Sequence, residues 1–289
     1  MLTQPYLPMY VNWLHAIAKI SPDMDVLVLS EDRESCQWLH TSSLQPGVTH
    51  VLRPRRWKGV ARQLEDGPSG NTTISAECAS NATLPPNSSA YGSPGFAMLA
   101  RRRAGHIRRA VRHRCCVIWS DLDAVWLRDP SRYLGNAPER CNFLAPQHKC
   151  TSGEGDRCFD SAFSAFFWDE HNSVPMLMRR WASLLPKVGP RAAKKPKISI
   201  GRMASFDDAV ADQHRGACAL PESHFPDSRT LSWTDGQLGA SAATSQSDSP
   251  FIVHADFAGI PQKMRHLRSS GLWKKGSRRE VARVSGTPL

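Results

Sequence analysis

The sequence is most constrained at one junction, where the apolar run Cys115-Cys-Val-Ile-Trp-Ser120 leads directly into Asp121-Leu-Asp-Ala-Val-Trp-Leu-Arg-Asp-Pro130. A run this apolar reads as a strand buried on both faces, which belongs to an α/β sheet covered by helices. Ligands of open α/β sheets collect at the carboxyl ends of the strands. On an extended segment alternate side chains share a side, so Asp121 and Asp123 are expected to project together while Leu122 points into the packing. Two adjacent carboxylates repel unless a cation lies between them. Hard oxygen ligands suit Mn2+ or Mg2+, and such an ion can neutralise the diphosphate of a nucleotide sugar as it departs. An isolated Asp-x-Asp is ordinarily a surface or capping feature. Here the strand before it and Val125-Trp-Leu127 after it set the carboxylates in apolar surroundings that a solvated loop does not need.

The rest of the chain fits the same class. Tyr10 to Ile20 has helical spacing, Asp25 to Ser30 reads as a buried strand ending in Glu31 and Asp32, and Thr49 to Arg53 reads as a second short strand. Residues 62–94, rich in Gly, Pro, Ser and Asn, read as an insert. A helix is expected from Phe96 to about Arg112, with Phe96, Leu99, Ile107, Ala110 and Val111 as its apolar stripe and Arg103 on that same face. An arginine so placed either snorkels or meets an anion. A further amphipathic helix carries Val174, Leu177, Met178, Trp181, Leu184 and Leu185, and is expected to pack on the sheet. The stretches 187–205 and 234–249 read as loops and 274–289 as a flexible basic tail.

Phe251-Ile-Val-His254-Ala-Asp-Phe-Ala-Gly259-Ile-Pro-Gln-Lys263 delivers a His, a Gly and a Lys after a short apolar run. The imidazole is either a hydrogen-bonded structural group or a nitrogen ligand for Mn2+. The Gly lets backbone approach a phosphate, and the Lys supplies a compact positive charge.

The net charge of +11, from 37 Lys and Arg against 26 Asp and Glu, attracts anions of several kinds. No basic stretch interleaved with aromatics and no reading module is present, so nucleic acid is not an expected partner. The eight cysteines include no CxxC pair, which argues against a zinc ribbon or thioredoxin-type site. A local disulfide is expected among Cys141, Cys150 and Cys158, while Cys115 and Cys116 read as core. Asn71-Thr72-Thr73, Asn81-Ala82-Thr83 and Asn87-Ser88-Ser89 are three N-glycosylation patterns in one polar stretch, which points to a secretory lumen. No 20-residue apolar segment or signal peptide is visible, so a membrane anchor is expected upstream of Met1.

The run from Arg103 to Pro130, with Val117-Ile-Trp-Ser-Asp-Leu-Asp-Ala-Val-Trp-Leu-Arg-Asp-Pro at its end, resembles the nucleotide-diphospho-sugar transferase family that includes plant rhamnogalacturonan II xylosyltransferases and extensin arabinosyltransferases. Ser164-Ala-Phe-Phe167 with the Trp181 helix, the acidic segment Asp207 to Gln213, Leu220-Pro-Glu-Ser-His-Phe-Pro226, and His254 through Lys263 to Gly271-Leu-Trp273 follow in the same order. The resemblance implies a GT-A type, Rossmann-like mixed sheet flanked by helices over residues 1–273, with the family's first strand missing ahead of the Tyr10 helix. It implies retaining, Mn2+-dependent (or Mg2+-dependent) transfer from a UDP-sugar to a glycan or glycoprotein acceptor, in the Golgi lumen. Carried over by residue, Asp121, Asp123 and His254 are the metal ligands, Lys263 with Gly259 contacts the diphosphate, Arg103 contacts the donor and Asp32 lies on the nucleotide side. No catalytic base is implied. Arg114 stands where the family has Gly, and Ala165 where it has a small acceptor-side Gly. The family's Asp-Gln pair corresponds to Asp207-Asp208 or to Asp212-Gln213. A catalytically inactive, sugar-binding or partner-binding relative is the alternative reading.

Overall fold

The computed structural model describes residues 1–21, 24–41, 49–52, 73–78, 93–113, 116–149, 157–185, 206–213, 216–226, 250–255 and 259–273. The expected loops at 187–205 and 234–249 and the basic tail lie outside these residues, as do Asn71, Asn81 and Asn87 of the glycosylation patterns.

The first helix, α1 (Leu7–Ile20), buries Met9, Tyr10, Trp13, Leu14 and Ile17, a spacing that sets one apolar face against the core. Pro8 at its second position suits a helix start, where no N–H is needed. Strand β1 (Val26–Ser30) follows, then α2 (Arg33–Thr41). The Tyr10 ring meets Trp38 edge-on at 5.9 Å, joining α1 to α2. Strand β2 (Thr49–Leu52) forms where Thr49 to Arg53 is expected to be extended.

The stretch 62–94 is not only an insert. Its residues Thr73–Cys78 form β3, the central strand of a parallel three-stranded sheet ordered β1-β3-β2. Ile74, Ala76 and Cys78 alternate with Thr73, Ser75 and Glu77, the period of a strand. The Ser, Asn and Pro content on either side hides that alternation. Ahead of α1, Leu2 makes a parallel bridge to Ser30 on the other edge of β1. Its N–H donates to Leu29 O at 2.7 Å and its carbonyl accepts from Glu31 N–H at 2.9 Å. The residues before the Tyr10 helix therefore do reach the sheet, at the edge where a first strand was expected to be missing.

A second, five-stranded sheet is built from β4 (Cys116–Ser120), β6 (Phe143–Lys149), β7 (Arg157–Phe159), β8 (Phe163–Phe167) and β9 (Ala217–Leu220). The order is β4-β8-β6-β7, with β9 pairing β6 in parallel and the other pairs antiparallel. Alternation along the strands divides the core. Trp119, Phe143, Ala145 and Phe166 face α3 (Pro94–His113), α5 (Ser173–Leu184) and α6 (Phe206–Gln213). Leu144, Phe163 and Ala165 face α1 and a two-stranded antiparallel ladder of β5 (Ala124–Trp126) with β10 (Ile252–His254). Phe206 lies 5.2 Å from Phe143 and 4.9 Å from Trp181. The Trp181 helix thus reaches the sheet through α6 as well as packing on α3. Two further short helices are α4 (Ser131–Gly135) and α7 (Ile260–Ser269), and a single 3-10 turn, Gln4–Tyr6, leads into α1.

One cysteine expectation is corrected and a second is narrowed. Cys116 is exposed rather than core, because the first residue of β4 lies at the margin of the sheet rather than beneath a helix; Cys115 is outside the described residues. Cys141 pairs with Cys218 across the β9 edge, which takes it out of the expected local disulfide; Cys158 is disulfide-bonded, as a local bond requires, and Cys150 lies outside the described residues. A further disulfide, Cys36–Cys78, ties α2 to β3 over a separation of 42 residues, for which chain entropy alone gives roughly 4 kcal/mol. Replacing both by serine should lower unfolding stability by about 2–4 kcal/mol, measured as the urea midpoint at fixed pH. An unchanged midpoint would show that this pair does not restrain the parallel sheet.

Candidate active site

The site is assembled where β4 ends. Asp121 to Ala124 is a tight turn, closed by the Ala124 N–H donating to Asp121 O at 3.1 Å, so the expectation of one extended segment with both carboxylates on one side is corrected. A turn forms because β5 must leave the five-stranded sheet to pair with β10. Leu122 does point into the core. The Ser120 hydroxyl accepts from the indole N–H groups of Trp13 (3.1 Å) and Trp126 (3.0 Å), which fixes the residue before the turn.

Asp121 faces Arg103. The guanidinium Nη2 reaches both carboxylate oxygens, at 2.5 and 2.7 Å, and the Trp119 indole N–H adds a third bond at 3.0 Å. The alternatives for Arg103 are thereby decided in favour of an anion. Its guanidinium also lies 5.0 Å over the Trp119 ring, and its Nη1 donates to the carbonyl and hydroxyl oxygens of Ser161, each at 3.2 Å.

Asp123 faces the other way. It is 5% exposed, its carbonyl accepts from the Ala255 N–H at 3.0 Å, and its Oδ2 is bonded by Lys263 Nζ. His254 sits opposite Ala124 in the β5–β10 ladder, with Nε2 3.7 Å from Asp123 Oδ2 and Nδ1 donating to Asp160 Oδ2 at 2.6 Å. Burial opposes ionisation of Asp123, but His254 and then Lys263 outweigh it and hold the carboxyl well below the usual carboxylate range. Burial likewise disfavours the charged imidazole, yet Asp160 and Asp123 raise His254 well above its ordinary value. Lys263 is raised too, Asp123 overcoming the cost of burial. It stands in the first turn of α7, where its N–H donates to Gly259 O at 3.0 Å. Gly259 is the residue before that helix, exposed and extended, and a Cβ there would meet only Pro261 Cδ at 4.0 Å.

Of the three expected metal ligands, the structure brings Asp123 and His254 face to face, while the Asp121 carboxylate is turned to Arg103. No group of three or more His, Cys, Asp or Glu side chains stands ready to hold a metal ion among the described residues. The donor chemistry of the facing pair nonetheless fits a divalent ion: one carboxylate oxygen and one imidazole nitrogen, with a carboxylate behind the ring. Asp32, expected on the nucleotide side, has its carboxylate engaged by backbone. It is the residue before α2, where Oδ1 accepts the Ser35 N–H (2.7 Å) and Oδ2 the Gln4 N–H (2.7 Å), a helix cap.

Four residues near the site were not singled out by sequence. Asp160 and Ser161 lie in a short turn between two strands, a position that reads as loop. Glu31 is buried and paired with Arg102 and with His106 Nε2 at 3.1 Å. Tyr6 is raised by burial and also feels the charges of Lys263, Asp123, Asp121 and Arg103. The strand-end acid at position 31 was a usable signal; for Tyr6 none is visible.

A mixed α/β sheet flanked by helices, with an acidic turn at the end of strand β4 and a basic helix start against it, defines a nucleotide-sugar-dependent transferase. The sequence model of the nucleotide-diphospho-sugar transferase family matches residues 77–267, more than half of the chain, and the chain belongs to that family. It is a glycosyltransferase. It is 26% identical over 291 aligned positions to the UDP-D-xylose:L-fucose alpha-1,3-D-xylosyltransferase of Arabidopsis thaliana, covering 94% of this chain and 67% of that protein. It is 25% identical over 288 positions to the Arabidopsis thaliana UDP-D-xylose:L-fucose alpha-1,3-D-xylosyltransferase MGP4, covering 94% and 68%. The crystal structure of the galactosyltransferase LgtC with donor and acceptor sugar analogs superposes with a TM-score of 0.51 at 9% identity, over 98% of this chain and 93% of that one, which establishes the GT-A fold.

The Glu31 cluster yields a pH prediction. Burial raises the Glu31 pKa, but the His106 bond and the Arg102 charge prevail and lower it from its ordinary 4.5. A lowered folded pKa gives stability that is complete above the unfolded value and is lost as pH falls through the folded one. Between pH 6 and pH 3 the urea midpoint of Glu31→Gln should therefore fall less than that of the wild type. Equal losses would show that Glu31 carries no share of the acid sensitivity.

Proposed function

We propose that this glycosyltransferase is a metal-dependent, retaining enzyme that moves a sugar from a UDP-sugar, with UDP-xylose the first donor to test, to a glycan or glycoprotein acceptor. The observation that carries the metal assignment is His254: its Nε2 faces Asp123 while its Nδ1 is committed to Asp160, the arrangement in which an imidazole serves as an oriented ligand. Asp123 and His254 would hold the ion, and Asp121 stands beside Asp123 on the same turn. When bound, the ion neutralises the departing diphosphate.

The chain's own residues do the rest. Lys263 in the first turn of α7 supplies a positive charge where the helix already favours an anion, and the open space at Gly259 admits a phosphate against the backbone. Arg103 reaches the donor from α3. Asp121 and Asp123 are each bonded to a basic residue and Asp160 to His254, which leaves none of the three poised as a nucleophile. That supports front-face transfer, in which a phosphate oxygen of the leaving group takes the acceptor proton and the surroundings stabilise an oxocarbenium-like transition state.

The disulfides Cys36–Cys78 and Cys141–Cys218 support residence in an oxidising lumen, and we assign the Golgi, as for a transferase acting on glycans in transit. No described helix is long and apolar enough to cross a membrane.

A panel of UDP-xylose, UDP-arabinose and UDP-galactose with fucosylated glycans as acceptors, with and without Mn2+, tests this reading. Turnover should require the metal and vanish with EDTA, and His254→Ala or Asp123→Asn should lower kcat/KM by about a hundredfold or more, the loss of roughly 3 kcal/mol of transition-state stabilisation. The product linkage read by NMR should keep the donor's anomeric configuration. Full turnover in EDTA would overturn the metal assignment.

A further inference from the structure

One three-residue turn touches both halves of the site. Between β7 and β8, Asp160 Oδ2 accepts from His254 Nδ1 at 2.6 Å, Ser161 gives its carbonyl and hydroxyl oxygens to Arg103 Nη1 at 3.2 Å each, and Ala162 O accepts the Asp121 N–H at 2.7 Å. The turn is itself held. Asp160 Oδ1 accepts the Ala162 N–H at 2.8 Å, and the Asp160 N–H donates to Pro146 O at 2.8 Å on the neighbouring strand. Its following strand β8 lies between β4 and β6, with Phe163 paired to Ser120.

We infer that Asp160 is the positioning residue of this site: it orients His254 towards Asp123 while its turn registers Arg103 and the Asp121 backbone. The inference rests on the proposed role of His254 as a metal ligand. An imidazole without a partner at Nδ1 can turn about its side-chain torsions and present either nitrogen. With Nδ1 bound to a carboxylate, the ring plane is fixed and Nε2 is the atom presented to Asp123. The negative charge of the carboxylate also makes the ring a stronger donor to a cation. A purely structural residue would need only an acceptor oxygen, which an amide supplies equally well, so the charge separates the two roles.

The test uses the full chain and Mn2+ titrated in saturating UDP, with free Mn2+ read by electron paramagnetic resonance and melting temperature recorded for each variant. Asp160→Ala should weaken Mn2+ binding by about 10–100-fold, the isosteric Asp160→Asn by less, and His254→Ala by at least as much as Asp160→Ala. Wild-type affinity in both Asp160 variants alongside a weakened His254→Ala would overturn the positioning role and leave the metal reading standing. Wild-type affinity in His254→Ala would overturn the metal reading and this inference with it. A measurement that needs no variant to fold is the nitrogen-15 spectrum of His254 in the Mg2+ and UDP complex. A protonated Nδ1 with an unprotonated Nε2 is expected, and the reverse tautomer would overturn the inference.

Discussion

The carboxylate of Asp123 is almost wholly withdrawn from water, and a buried charge left unmatched costs several kcal/mol. Its match comes from far along the chain. His254 arrives on β10 because that strand pairs with β5 immediately after the acidic turn, putting Ala124 opposite His254. Lys263 arrives one helix start later. The β5–β10 ladder is only three residues long on each side, but Val125, Trp126, Ile252 and Val253 within it are all buried in one apolar cluster. Apolar burial thus supplies the driving force, and the charge pairing specifies which residues meet.

On the proposed function, the same cations that now satisfy the carboxylates are the ones a diphosphate would recruit. Lys263 bonded to Asp123 neutralises it internally. If the ammonium turns to a phosphate, Asp123 loses one of its two cationic partners in a buried position, and a divalent ion restores the balance. Donor and metal would then bind as a linked pair. Arg103 has a different status, because Ser161 and the Trp119 ring hold it in place independently of Asp121. A guanidinium fixed from three directions supplies a standing charge with little left to reorganise.

Where periodicity was strong, the fold was legible. The Tyr10 and Phe96 helices and the 116–120 strand follow from apolar spacing, whereas the meeting of His254 with Asp123 was implied by the family resemblance. β3 was lost because its alternation is carried by small and polar residues, so burial signal was absent where hydrogen-bonding order was present. The Asp121–Asp123 turn was read as extended because nothing in Asp-Leu-Asp forbids a strand; what bends it is the partner strand at 252–254, a contact between residues more than a hundred positions apart. Asp160 was missed for the converse reason. A single acid in a short turn has no sequence mark, and only the third dimension shows that both its oxygens are engaged.

Two places in the chain look alike by sequence and differ in use. Ser30-Glu31-Asp32 and Ser120-Asp121-Leu-Asp123 each follow a buried strand with two acids. After Ser30 the chain enters a helix at once, so Asp32 is consumed as its cap and Glu31 by basic residues of α3. After Ser120 the chain turns instead of entering a helix, so the carboxylates do not cap the element that follows. They are instead satisfied by side chains of α3, β10 and α7, each of which has an alternative partner in a phosphate or a cation. The element that follows the strand therefore decides whether paired acids become structure or remain exchangeable, and exchangeable charge is what a nucleotide-sugar site requires.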